Sequence, residues 1–125
     1  MNLCNMGKKT LVLGASQNPD RYSFMAINRL RQHGHEVVAI GLKTGMVADV
    51  PIITGQPELT GIDTITMYMR AERQLPLHEY ILSLNPKRII FNPGAENDLL
   101  VKLAHENKIE TQEACTLVML SIGAF

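Results

Sequence analysis

The residues best suited to chemistry lie in a short glycine-led segment, Gly14-Ala15-Ser16-Gln17-Asn18-Pro19-Asp20-Arg21-Tyr22-Ser23. It follows the β-rich run Thr10–Leu13 and precedes an amphipathic stretch, so it reads as a strand-to-helix turn. A glycine there lets the backbone turn tightly and approach a ligand closely. The helix that follows presents unpaired N–H groups and the positive end of its dipole, a setting that suits phosphate. Ser16 adds a hydroxyl donor and Arg21 a planar fork of donors for phosphate oxygens. Neither common phosphate loop is complete: Ser16 stands at the second glycine of G-x-G-x-x-G, and Gly-Lys-Ser/Thr is absent.

The end of the next β-rich run, Ile40-Gly41-Leu42-Lys43, narrows the ligand. An NAD site wants a carboxylate about 20 residues beyond its glycine loop, to bond the ribose 2′-hydroxyl. Lys43 stands there instead. A lysine matches a phosphate on the adenosine ribose, which NADP and coenzyme A both carry. In Met67-Tyr68-Met69-Arg70, Tyr68 offers a ring to adenine or pantetheine and Arg70 a cation to phosphate. Phe91-Asn92-Pro93-Gly94-Ala95-Glu96-Asn97 is a turn into a helix N-terminus, with backbone donors for a polar chain. Each has a plainer alternative: a solvated cation, a core tyrosine, or, for Glu96, a carboxylate complementing the helix dipole.

The elements that must position these loops alternate between β-rich runs and amphipathic helices. Strands are expected at Thr10–Leu13, Val37–Ile40, Asp63–Met69, Arg88–Phe91 and Ile109–Gln112, with Pro51-Ile52-Ile53 as a short edge strand. Helices are expected over Ser23–His33, ended by Gly34, and over Glu96–Glu106, burying Leu99, Leu100, Leu103 and Ala104. Another follows Pro76, where Leu77, Tyr80, Ile81 and Leu84 form an i, i+3, i+4, i+7 stripe, and a short one closes the chain at Thr116–Ser121. This order predicts a single α/β domain with a Rossmann-like, doubly wound, mainly parallel sheet flanked by helices. Ligands of such sheets bind beyond the C-terminal strand ends, which singles out the four loops above.

The segment Gly14-Ala15-Ser16, Pro19, Arg21 and Ser23 resembles the Gly-Ala-Ser-x-x-Pro-x-Arg-x-Ser segment of small stand-alone CoA-binding proteins. Their domain is similar to the N-terminal domain of the succinyl-CoA synthetase alpha chain. The resemblance continues through Gly34, Val37, Lys43, Arg70, Gly94 and Cys115, and spans residues 8–125 after a short extension at 1–7. It implies a CoA-binding domain in which the loop from Gly14 to Ser23 holds the pyrophosphate and Lys43 approaches the adenosine. The loops at Tyr68–Arg70 and Pro93–Asn97 would line the rest. Gly41-Leu42-Lys43 departs from the family's common Asn-Pro-Lys turn, and Pro93–Asn97 from its Gln-x-Gly-Val form.

Composition sets the outer limits. Twelve lysines and arginines balance twelve acids, which argues against a general nucleic-acid or membrane-surface binder. No apolar run reaches the roughly 20 residues that cross a bilayer, and no signal-peptide pattern opens the chain, so a cytoplasmic protein is expected. Cys4 and Cys115 have no metal-ligand spacing, and Cys115 reads as a small buried hydrophobe. His33, His35, His78 and His105 read as solvated or dipole-favoured, and with no metal cluster or catalytic set the expectation is a binding module, not an enzyme. The small-molecule ligand is expected to be coenzyme A or an acyl-CoA, with no protein partner identifiable. The alternatives are an NADP-dependent oxidoreductase, which Lys43 also suits, and a protein-interaction domain with a degenerate site, which the altered turn at Gly41-Leu42 suggests.

Overall fold

The computed structural model describes residues 7–125, so Cys4 and the extension short of Gly7 lie outside the described residues. Seven strands form one sheet: β1 (Thr10–Ala15), β2 (Val37–Gly41), β3 (Gly45–Val47), β4 (Val50–Ile53), β5 (Thr64–Met67), β6 (Arg88–Phe91) and β7 (Glu110–Glu113). Their spatial order is β3-β4-β2-β1-β5-β6-β7, and every neighbouring pair is parallel except β3 with β4. The chain grows outward from β1 in one direction through β2 and in the other through β5, β6 and β7. The reversal lies between β1 and β5, which makes the loops after these two strands the walls of the expected crevice.

Near-continuous apolar strands are what a sheet covered on both faces requires. Leu11, Leu13, Ile65, Met67, Ile89 and Phe91 pack on one face. They meet Ile81 of α3 (His78–Ser83) and Leu100 and Ala104 of α4 (Asp98–Glu106). Val12, Ala39 and Ile52 pack on the other, under Ile27 and Leu30 of α1 (Tyr22–Gln32) and Leu120 of α5 (Thr116–Ser121). The β1–β2 register shifts between Leu13 and Ala15, and this bulge at Gly14 swings Ala15 onto the Val12 face.

Several expectations need correction. Pro51 does not lie in an edge strand: the unforeseen β3 pairs antiparallel with β4 and takes the edge. Pro51 is tolerated because the β2–β4 ladder runs only through Ile52 and Ile53. The β3–β4 turn is anchored by Asp49, whose carboxylate takes two bonds from the Arg31 guanidinium of α1 at 2.8 and 2.9 Å. The strand expected to reach Met69 stops at Met67, where the chain turns off toward α2 (Ala71–Gln74). The helix expected from Pro76 starts as α3 at His78: Pro76 lies in a 3-10 turn (Leu75–Leu77), preceded by the unforeseen short α2. Helix α4 starts at Asp98 and not at Glu96, and its buried stripe is Leu100 and Ala104, leaving Leu99 half exposed.

Candidate functional site

The first loop is held by its own turn chemistry. Ser16 Oγ accepts from the Asn18 N–H at 3.0 Å, Asn18 Oδ1 from the Asp20 N–H at 3.0 Å, and the Asn18 carbonyl from the Arg21 N–H at 3.0 Å. This compact turn delivers the chain to α1, whose N-terminus carries no side-chain cap and no acid in its first turn. The Phe24 N–H turns back to the Arg21 carbonyl at 3.1 Å, and the earlier N–H groups and the dipole suit an anion. Gly14 has φ +92°, and a Cβ there would lie 2.9 Å from Met69 Cγ and 3.1 Å from the Tyr68 carbonyl carbon. Glycine thus lets the first loop close against the third.

Lys43 stands exposed between β2 and β3, and Arg21 is exposed at the N-terminal boundary of α1. Among the described residues neither joins an ion pair. Gln17 links the two loops, its Oε1 accepting from the Met46 N–H at 3.3 Å. Ser23 is buried on the inner side of α1, and Arg70 points to solvent beside Glu72, 3.9 Å away.

On the other side of the first loop, Tyr22, Tyr68, Asn92, Pro93, Cys115 and Leu117 line a pocket of about 220 Å³. Its Asn92 belongs to a buried polar network. Asn92 Nδ2 donates to Thr66 Oγ1 at 2.8 Å and to the Met67 carbonyl at 2.9 Å, and Asn92 Oδ1 accepts from the Thr116 N–H at 2.8 Å. The Thr66 and Thr116 hydroxyls meet at 2.8 Å. The Tyr68 hydroxyl is buried without a well-formed hydrogen bond, and burial pushes its phenol up to about 12 against the opposing pull of the Thr66 and Thr116 hydroxyls. Cys115 is a free thiol on the pocket wall and not the fully buried filler expected. A larger open groove of about 520 Å³ follows the polar β7 edge past Arg88, Lys108 and Glu110. Those three lie at or before the N-terminal ends of β6 and β7, away from the crevice, and their charges are mixed.

A second network shapes the fourth loop. Gln74 Nε2 donates to the Met69 carbonyl at 2.6 Å and to the Ala95 carbonyl at 2.8 Å, clamping the third loop to the fourth. Asn97 caps α4 by accepting from the Leu100 N–H at 3.1 Å, and its Nδ2 donates to Gln74 Oε1 at 2.8 Å. The Asn97 side chain is thus already engaged within the protein. Glu96 accepts from the Gly94 N–H at 3.0 Å, while Pro93 and Gly94 are exposed at the rim. Gln74 and Asn92, both buried, organise the site from behind, and exposed Gln17 ties the first loop to β3; sequence reasoning assigned none of the three a role. Asn92 alone had a signal, as a polar residue closing an apolar run.

Two histidines are not solvated as expected. His78 is 8% exposed, with Nε2 3.3 Å from Asn97 Nδ2, and His35 Nδ1 accepts from the Lys8 N–H at 2.9 Å. Burial holds both below the usual imidazole range, and Lys8 adds to this at His35. Both rings accept a hydrogen bond, so both are needed neutral. Because the folded-state values lie below the unfolded one, near 6.5, this stabilisation is complete above that pH. It declines as pH falls from there toward the folded values. Thermal melts should show a lower Tm at pH 5.5 than at 7.5, and His78→Gln, which accepts without titrating, should shrink the difference. Equal melting points at the two pH values would refute this.

Among the described residues no helix is long and apolar enough to cross a membrane, and no group of three or more His, Cys, Asp or Glu side chains is placed to hold a metal. A crystal structure of an uncharacterized protein, 50% identical, superposes with a TM-score of 0.93 over 95% of this chain and 98% of that one. A Thermus thermophilus protein known as cell-free ID.343 has a TM-score of 0.83 at 17% identity, covering 98% of this chain and 93% of its own. A hypothetical protein from Pyrococcus horikoshii OT3 reaches 0.84 at 18% identity, with 96% and 86% covered. The last two establish a shared fold. No curated protein matches the chain significantly. The family model described as CoA binding domain matches residues 8–121, nearly the whole described chain, and the chain belongs to that CoA-binding family.

Proposed function

We propose that the protein binds coenzyme A or an acyl-CoA in the cytoplasm, as a binding module that does not transform its ligand. One observation carries the reading: three unlike subsites follow one another along the C-terminal edge of the sheet. Lys43 stands beyond β2, the uncapped N-terminus of α1 follows β1, and an apolar pocket lies beyond β5 and β6. That sequence of cation, anion cradle and apolar pocket matches a ribose phosphate, a pyrophosphate and a pantetheine arm. The non-catalytic part is supported by the Asn92, Asn97 and Gln74 side chains, which are engaged in internal hydrogen bonds. The free thiol of Cys115 suits a reducing compartment.

Calorimetric titration with coenzyme A, 3′-dephospho-CoA and NADP tests this. Coenzyme A should bind most tightly. Lys43→Ala should weaken it by up to about fivefold, the scale of one exposed ion pair, and leave 3′-dephospho-CoA little changed. Bound coenzyme A should also slow alkylation of Cys115 by iodoacetamide, read by peptide mass spectrometry. Tight NADP binding with weak coenzyme A binding would instead favour an oxidoreductase. No binding of either would favour a protein-interaction domain.

A further inference from the structure

We infer that the pocket bounded by Tyr22, Tyr68, Pro93, Cys115 and Leu117 receives the acyl end of a short, uncharged acyl thioester of coenzyme A. This rests on the coenzyme A reading above and narrows its ligand. Position comes first. The sheet order sets Lys43, beyond β2, and the pocket, beyond β5 and β6, on opposite sides of the loop after β1. A ligand with its pyrophosphate at the α1 N-terminus and its adenosine toward Lys43 must send its sulfur end toward Tyr68 and Cys115. Tyr22 joins the two regions, because it opens α1 and also walls the pocket.

Chemistry comes second. No lining side chain is an acid, a lysine, an arginine or a histidine. The one lining amide, Asn92, is 2% exposed, with both ends already hydrogen-bonded inside the protein. An acyl carboxylate entering here would lose water without gaining a counter-charge, which is strongly unfavourable. A methylene would lose only water that it binds poorly. Size comes third. At roughly 30 Å³ per water-sized group, a pocket of about 220 Å³ holds about seven such groups. That accommodates the last atoms of the pantetheine arm and an acyl chain of about four carbons. Asn92 on the pocket wall is held from behind by Thr66 and Thr116, so this part of the lining does not readily recede for a longer chain.

The test is a calorimetric series of coenzyme A with its acetyl, butyryl, octanoyl and succinyl thioesters. Affinity should rise by about threefold to fourfold per methylene, making butyryl-CoA roughly tenfold tighter than acetyl-CoA. Octanoyl-CoA should gain nothing over butyryl-CoA, and succinyl-CoA should bind more weakly than butyryl-CoA. Leu117→Phe, which fills the pocket, should lower the ratio of butyryl-CoA to coenzyme A affinity. Coenzyme A binding with equal affinity for all the thioesters would overturn the inference and leave the coenzyme A reading standing. So would succinyl-CoA matching butyryl-CoA. Failure of every coenzyme A species to bind would remove the reading and the inference together.

Discussion

Asn92→Ala is expected to destabilise the fold by about 3 kcal/mol, lowering Tm by roughly 10 °C. Asn92 is 2% exposed and sits where β6 ends. Its side chain ties the end of β6 to two further elements, through Thr66 and Met67 of β5 and Thr116 of α5. Alanine removes both amide donors and the acceptor. Thr66 Oγ1 keeps the Thr116 hydroxyl and the Met67 carbonyl keeps the Asn92 backbone N–H, so both stay partly satisfied. The Thr116 N–H has no such second partner. An orphaned buried donor costs about 1–3 kcal/mol, and the vacated volume adds a cavity cost. Asn92→Asp sharpens the test. It keeps the acceptor for Thr116 but turns an ionised oxygen toward the Met67 carbonyl, so it should be worse than alanine at pH 7 and recover as the pH is lowered. Urea denaturation of both variants checks this. An alanine variant within 1 kcal/mol of the parent would show that the network is not structural.

The same network explains which parts of the molecule were legible in the sequence. Strands buried on both faces show themselves as apolar runs, so Leu11–Leu13, Ile89–Phe91 and their neighbours could be read directly. The α/β order follows from that alternation, whereas the place of the switch, between β1 and β5, is set by which strands pair. What escaped were features decided by partners remote in sequence. The short β3 exists because it pairs with β4, and Gly45-Met46-Val47 has no periodicity of its own. Leu99 looked like part of the α4 stripe, but the start of the helix at Asp98 and the cap at Asn97 set a phase that turns it outward.

For the site, the loops were legible and the side chains behind them were not. Gly14 and the uncapped start of α1 are encoded locally, by a glycine and by the absence of acids in one turn. Gln74, Asn92 and His78 take their roles from contacts across 19 to 26 residues of chain, which no local pattern announces. Asn97 shows the ambiguity in one residue. Asparagine before a helix suits both a ligand donor and a cap, and here its side chain serves the cap.

Gly41 yields the other large effect. Its φ is not in the left-handed region, so what matters is space. A Cβ would fall 2.2 Å from the Ala15 carbonyl oxygen and 3.1 Å from Ile52 Cγ2. The first of these is backbone and cannot rotate away. Gly41→Ala must therefore push β2 from the end of β1, at about 3 kcal/mol if overpacking sets the scale. The shift would reach Ala15 and Ser16, in the loop after β1, and Lys43 two residues on. Coenzyme A affinity should fall along with stability, by roughly tenfold or more if one good phosphate contact is lost. Gly34→Ala is the matched control. It carries φ +82° at the far end of α1, and a Cβ there would meet nothing within 4 Å. It should lose stability through backbone strain, by about 1–2 kcal/mol, and keep its affinity for coenzyme A. If Gly41→Ala lost stability yet bound coenzyme A like the Gly34 variant, the close approach of β2 to β1 would be a packing feature alone. The loop after β1 would then have to be held by its own turn through Ser16 and Asn18.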